Sequence, residues 1–233
     1  KVMSRENYDD PWWTPLPFSL PMPEKKIALL KKIEGLKIDP IISAELDLVA
    51  KRLEDSGWVI EEPKAPNFQE AAKFQATLWL GEFRRTGGET ISKENDPDSN
   101  FIYSQMSRRC PDTSLEKFMD SLQQRARISR EWNKFFDQYP IILCPITGDI
   151  PFPDLKDLES EESFDLVFDS MLPQIAPPYM GLPGLSFATS QTKQKIPLGV
   201  QFISRKFRED LLLNVGYDLE KYYPKIEPVL PNF

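Results

Sequence analysis

The chain has 233 residues, with 29 Lys and Arg against 36 Asp and Glu, a formal net charge of −7 and no histidine. The missing imidazole excludes a Ser-His-Asp triad, a Cys-His pair and His-ligated zinc or haem, and an acidic balance without a basic stripe excludes nucleic acid as a partner. Glycine is scarce at 10 residues and proline abundant at 22, where average usage would give about 16 and about 12, so few segments have the freedom to cradle a phosphate.

Residues 1–24 carry Asp9-Asp10-Pro11-Trp12-Trp13 and prolines at 15, 17, 21 and 23. That is too much proline for a helix or central strand and too much aromatic surface for solvent, so an extended segment lying on a surface is expected. Lys26 to Leu30 reads as a buried strand. Asp39-Pro40 supplies an N-cap followed by proline at the first helical position, and Ile42, Leu46, Val49 and Leu53 form the apolar stripe of the helix that follows. Gly57 stops it before the strand-like Trp58 to Glu61. Strand, helix, strand is a βαβ unit with a parallel pair.

A second helix is expected over 68–84, with Phe68, Ala72, Gln75, Trp79 and Phe83 on one face. Residues 86–111, with Gly87-Gly88 and Asn95-Asp96-Pro97-Asp98, read as a long loop or lid with at most one short helix. A long helix from Ser114 to Gln138 shows Leu115, Phe118, Leu122, Ala126 and Trp132 to Phe136 as its apolar face and runs into the strand Ile141 to Cys144. From Pro145 to Pro183 the prolines and the run Glu159-Ser160-Glu161-Glu162 predict irregular, solvated chain. Strands over 185–190 and 198–204 form a hairpin, and a last helix over 208–222 turns Leu211, Leu212, Val215 and Leu219 inward until Pro224 ends it.

Residue chemistry alone offers little. Ser114 with Lys117 and Ser190 with Lys193 have the Ser-x-x-Lys spacing, but chance supplies such pairs in a chain rich in both, and a helix cap and a polar turn explain them. Cys144 lies in an apolar run and reads as core. The acidic pairs Asp9-Asp10 and Glu161-Glu162 lack calcium-loop spacing, Gly87-Gly88 neither follows a strand nor opens a helix, and no metal or cofactor is expected. No apolar run approaches the ~18 residues of a membrane span, and two cysteines make no disulfide framework, so a reduced, cytoplasmic setting without membrane contact is expected.

The end of the chain is more informative. Gly181-Leu182-Pro183-Gly184-Leu185-Ser186, then Ile196-Pro197-Leu198-Gly199-Val200-Gln201-Phe202-Ile203, then Phe207-Arg208-Glu209-Asp210-Leu211-Leu212-Leu213, closely resembles the C-terminal portion of amidase-signature enzymes. Asp10-Pro11-Trp12-Trp13, Lys26-Ile27-Ala28-Leu29, the run from Trp132 to Pro145 and Pro151-Phe152 resemble earlier parts of the same half, in order. The resemblance implies an α/β fold, the C-terminal part of an α/β/α amidase-signature domain with a mixed β-sheet flanked by helices. It also implies amide hydrolysis in which a lysine deprotonates a serine through a second, cis-bonded serine, with backbone N–H groups holding the oxyanion.

No Gly-Gly-Ser-Ser-Gly segment occurs in the sequence. The expectation is therefore that residues 1–233 are the C-terminal half of a single amidase domain, completing the sheet and walling the pocket without the catalytic residues. On that reading the isolated chain is inactive, the partners are a small-molecule amide and an N-terminal catalytic half, covalent or separate, and the alternative is an inactive amidase-like binding or structural module. Position along the resembling segments makes Cys144, Thr147, Tyr179, Met180 and Trp79 the expected substrate-binding residues, with an apolar or aryl acyl group as the expected ligand.

Overall fold

The computed structural model describes residues 6–7, 9–11, 13–15, 20–112 and 114–223. Trp12, Pro17, Phe18 and Pro224 lie outside the described residues, and the described parts of the first 24 residues hold no helix or strand. Strand β1 (Lys26–Leu29), helix α1 (Pro40–Glu54) and strand β2 (Val59–Glu61) form the expected βαβ unit, with β1 and β2 parallel. Asp39 caps α1 by accepting from the Ile41 N–H at 2.7 Å. Ile42, Leu46, Val49 and Leu53 are all buried, each contributing about 1.5–3 kcal/mol of transfer free energy. Gly57 sits at φ +83°, where an L side chain is strained.

Helix α2 (Phe68–Thr86) buries Phe68, Ala71, Leu78 and Leu80, a face rotated from the expected one, and leaves Trp79 53% exposed. Residues 86–111 are not a long loop. They form α3 (Gly88–Glu94) and α4 (Pro97–Arg109). The apparent breakers are helix punctuation: Asn95 ends α3 in the left-handed region at φ 52°, Asp96 accepts from the Ser99 N–H at 2.7 Å, and Pro97 opens α4.

Helix α5 (Leu115–Gln138) is capped by Ser114 and buries Ser121, Ile128, Trp132 and Phe136, while Leu115 and Leu122, expected inside, are exposed. It leads into β3 (Ile141–Pro145). The stretch expected to be irregular holds a 3-10 turn over 156–158, then α6 (Glu161–Ser170) and α7 (Leu172–Met180). Ser160 caps α6, and Glu161 and Glu162 sit in its first turn, where the helix dipole favours negative charge. Gly181 closes α7 at φ +67°. The hairpin β4 (Gly184–Gln191) and β5 (Pro197–Ser204) and the helix α8 (Glu209–Glu220) follow as expected.

The strand order is β2-β1-β3-β5-β4, with β1 parallel to both β2 and β3, and β5 antiparallel to both β3 and β4. Alternation along β1 and β3 sends Ile27, Leu29, Ile141 and Leu143 to the α1 and α8 layer, and Ala28, Ile142 and Cys144 to the α2, α5 and α7 layer. This is an α/β fold whose mixed sheet is flanked by helices on both faces. Its first edge is tied by Glu61, which accepts from Tyr139 Oη at 2.8 Å and pairs with Lys26 at 2.7 Å. Those two partners, Lys26 first, hold the Glu61 carboxyl below its usual range. No helix among the described residues is long and apolar enough to cross a membrane.

Candidate substrate cavity and family

Open α/β sheets bind ligands outside the carboxyl ends of their strands, where the strand order reverses. Here that point lies between β1 and β3. Just beyond β3, Thr147 Oγ1 donates to the Asp149 carbonyl at 2.7 Å. A cavity of about 310 Å³ opens there between Thr147, Phe152, Met171, Gln174 and Pro197. Gly148 makes the turn possible. Its carbonyl accepts from the Asp39 N–H and its N–H donates to the Ser170 carbonyl, both at 2.8 Å, and a Cβ there would collide with the Lys37 carbonyl oxygen.

A larger cavity, about 1030 Å³, lies on the far side of the α6–α7 wall, between α2, α4 and α5. Phe74, Trp79, Phe168 and Leu172 give it an apolar body, and Lys73, Arg109, Lys117 and Asp120 a polar rim. Arg109 is anchored: it bonds Asp165 at 2.7 Å, also bonds Asp169, and lies over the Phe168 ring at 4.6 Å. Burial raises the Asp165 carboxyl, and the bonds from Arg109 and Arg108 outweigh it, so its pKa lies below the usual range.

The five expected substrate residues do not form one cluster. Thr147 lines the smaller cavity and Trp79 the larger. Cys144, Tyr179 and Met180 sit together in the core packed between β3, α5 and α7. The Tyr179 hydroxyl donates to the Ser121 carbonyl and its ring stacks on Phe74 at 5.8 Å. Cys144 is fully buried, and burial pushes its thiol up to about 12, with Gln201 Nε2 3.8 Å away. Such a thiol is almost entirely protonated at neutral pH, the wrong state for a nucleophile.

Among the described residues, no hydrogen bond joins a serine hydroxyl to a lysine ammonium. Ser114 accepts from the Lys117 backbone N–H at 3.3 Å, and Ser190 donates to Glu45 at 2.7 Å. No group of three or more carboxylates or cysteines among the described residues is placed to hold a metal ion. The cavity residues that sequence reasoning missed, Arg109, Phe168 and Met171, lie in segments expected to be loops. Phe164, Phe168 and Leu172 do carry helical spacing, but it is masked by the surrounding prolines and glutamates.

The family model described as Amidase matches residues 16–213. An indoleacetamide hydrolase of Bradyrhizobium diazoefficiens is 28% identical over 223 residues, covering 94% of this chain and 42% of the relative. A glutamyl-tRNA(Gln) amidotransferase subunit of Desulforapulum autotrophicum is 32% identical over 231 residues, covering 89% of this chain and 46% of the relative. The chain thus spans less than half the length of these curated relatives. The structure of 6-aminohexanoate cyclic dimer hydrolase shares the fold at TM-score 0.75 and 15% identity, over 95% of this chain and 51% of that one. Fatty acid amide hydrolase does so at TM-score 0.65 and 15% identity, over 89% and 42%.

The family match covers most of the chain and corrects the expectation of a mere C-terminal half without a catalytic region. The readings built on that expectation are corrected with it: pocket walls alone, an inert module, an inactive isolated chain, and an N-terminal catalytic half as required partner. With a family model matching most of its length, the chain belongs to the amidase family.

Proposed function

We propose that the protein hydrolyses the carbon–nitrogen bond of a small arylacetamide-type amide by acyl transfer, with the aryl group held in the cavity between α2, α4 and α5. The observation that carries this reading is the cavity itself: Trp79, Phe74 and Phe168 line it with aromatic side chains, and Arg109 and Lys117 at the rim offer donors to a carbonyl oxygen. The similarity to an indoleacetamide hydrolase supports an aryl substrate, and a chain without histidine fits hydrolysis that uses none. Thr147, at the carboxyl end of β3, lines the neighbouring cavity. Cys144, Tyr179 and Met180 serve by packing the wall behind. The two free cysteines, one of them fully buried, suit a reducing, cytoplasmic setting.

The test is ammonia release by the purified protein from indoleacetamide and from glutamine, with hydroxylamine added to intercept the acyl group as its hydroxamate. Faster turnover of the aryl amide, with hydroxamate formed, supports the reading. Preference for glutamine overturns the aryl assignment, and release without hydroxamate overturns acyl transfer.

A further inference from the structure

A third cavity, about 470 Å³, lies beside the 1030 Å³ one and shares Trp79, Leu80 and Met106 with it. It opens between α2, α3, α4 and the 3-10 turn. Its size falls in the range of about 300–1,000 Å³ typical of small-molecule sites. The aromatic wall is Trp79, Phe83 and Tyr103, the last two packed edge to face with centroids 5.7 Å apart. Ile91, Ile102, Leu155 and Leu158 complete an apolar body.

The charged side chains lining it are Asp98 and Asp157, and no lysine or arginine among the described residues lines it. Neither carboxylate takes part in an ion pair among the described residues; Lys156, next to Asp157 in the chain, pairs instead with Glu159. Asp98 lies in the first turn of α4, at the positive end of the helix dipole.

The adjacent glycines pack behind the aromatic wall. A Cβ on Gly87 would collide with the Phe83 ring, and one on Gly88 would lie 2.8 Å from the Tyr103 hydroxyl. The Gly87-Gly88 pair makes room for the two aromatic walls and does not cradle a phosphate.

Three aromatic side chains and two carboxylates outside any ion pair, around an apolar space, are the chemistry that recognises a cation with an apolar surface. We propose that this cavity is a binding site for a small organic ammonium, its apolar surface held against Trp79, Phe83 and Tyr103 and its charge met by Asp98 and Asp157. The proposal does not depend on amide hydrolysis.

Calorimetric titration of the full chain with choline, its neutral carbon isostere dimethylbutanol, and benzyltrimethylammonium tests it. The two ammonium probes should bind with 1:1 stoichiometry and the neutral isostere at least about tenfold more weakly, a difference of about 1.4 kcal/mol. The Asp98→Asn/Asp157→Asn double variant, its melting temperature checked first, should lose about tenfold or more in affinity for both ammonium probes. Equal binding of choline and its isostere by the unmodified protein, or no binding of either ammonium, overturns the proposal. So does a folded double variant that retains full affinity.

Discussion

Replacing Tyr179 by Phe removes one oxygen and separates two roles for this side chain. In the structure Tyr179 is fully buried. Its hydroxyl donates to the Ser121 carbonyl, its ring stacks on Phe74, and Arg125 lies over it at 5.4 Å. Loss of the hydroxyl costs one neutral hydrogen bond, about 1 kcal/mol. The carbonyl left behind belongs to a helix interior and keeps its backbone donor, so no larger desolvation penalty is added. For a chain of this size that is a drop of about 2–4 °C in melting temperature. Tyr179→Ala should cost about 3–5 kcal/mol, because the ring's volume becomes a cavity in a close-packed core. Urea melts of the three proteins give the differences, and KM for the amide gives the control. A Phe variant of unchanged stability with a KM raised tenfold would refute the argument and make Tyr179 a substrate contact.

A thiol reagent at pH 8 should label Cys110 in the native protein and reach Cys144 only on unfolding, since burial holds that thiol near 12; equal labelling rates contradict this. The folded pKa of Asp165 is depressed, so its contribution is present above the unfolded value of about 3.9 and lost as pH falls through the folded value. Asp165→Asn should therefore reduce stability at pH 6, with the gap to the unmodified protein closing below about pH 4; a gap constant with pH counts against the Arg108–Asp165–Arg109 ion pairs. Gly148→Ala should destabilise by about 1–3 kcal/mol through its clash with the Lys37 carbonyl, and an unchanged melt would show that the turn has slack.

Where apolar spacing and a cap agree, local signals suffice to read the fold. The stripe from Ile42 to Leu53 behind Asp39, and Leu211 to Leu219, are buried faces as expected. Local signals fail where cap residues resemble loop residues. Asn95, Asp96 and Pro97 end one helix and start another, and a linear reading sees only breakers. The proline-bearing helix α7 is hidden for the same reason, since Pro177 and Pro178 lie inside it and packing against α2 outweighs their poor propensity. All three cavities take part of their lining from these segments. The cavities are therefore less legible than the sheet: Thr147 and Trp79 line two different ones, and Arg109 with Phe168 in one, and Phe83 with Tyr103 in another, come together only in three dimensions. Along the second half of α5, Trp132 and Phe136 hold the expected face, while its first half turns Leu115 and Leu122 outward, because periodicity marks a face without saying what covers it.

The most direct test of the central claim compares indoleacetamide with glutamine as substrates for the protein and for its Trp79→Ala variant. Trp79 is half exposed and carries little of the core, so the variant should fold. The account predicts that the protein prefers indoleacetamide and that the variant loses about tenfold or more in kcat/KM for it, a loss of about 1.4 kcal/mol of transition-state stabilisation. Preference for glutamine, or a variant that hydrolyses indoleacetamide as well as the unmodified protein, would contradict the assignment of this cavity to an aryl substrate.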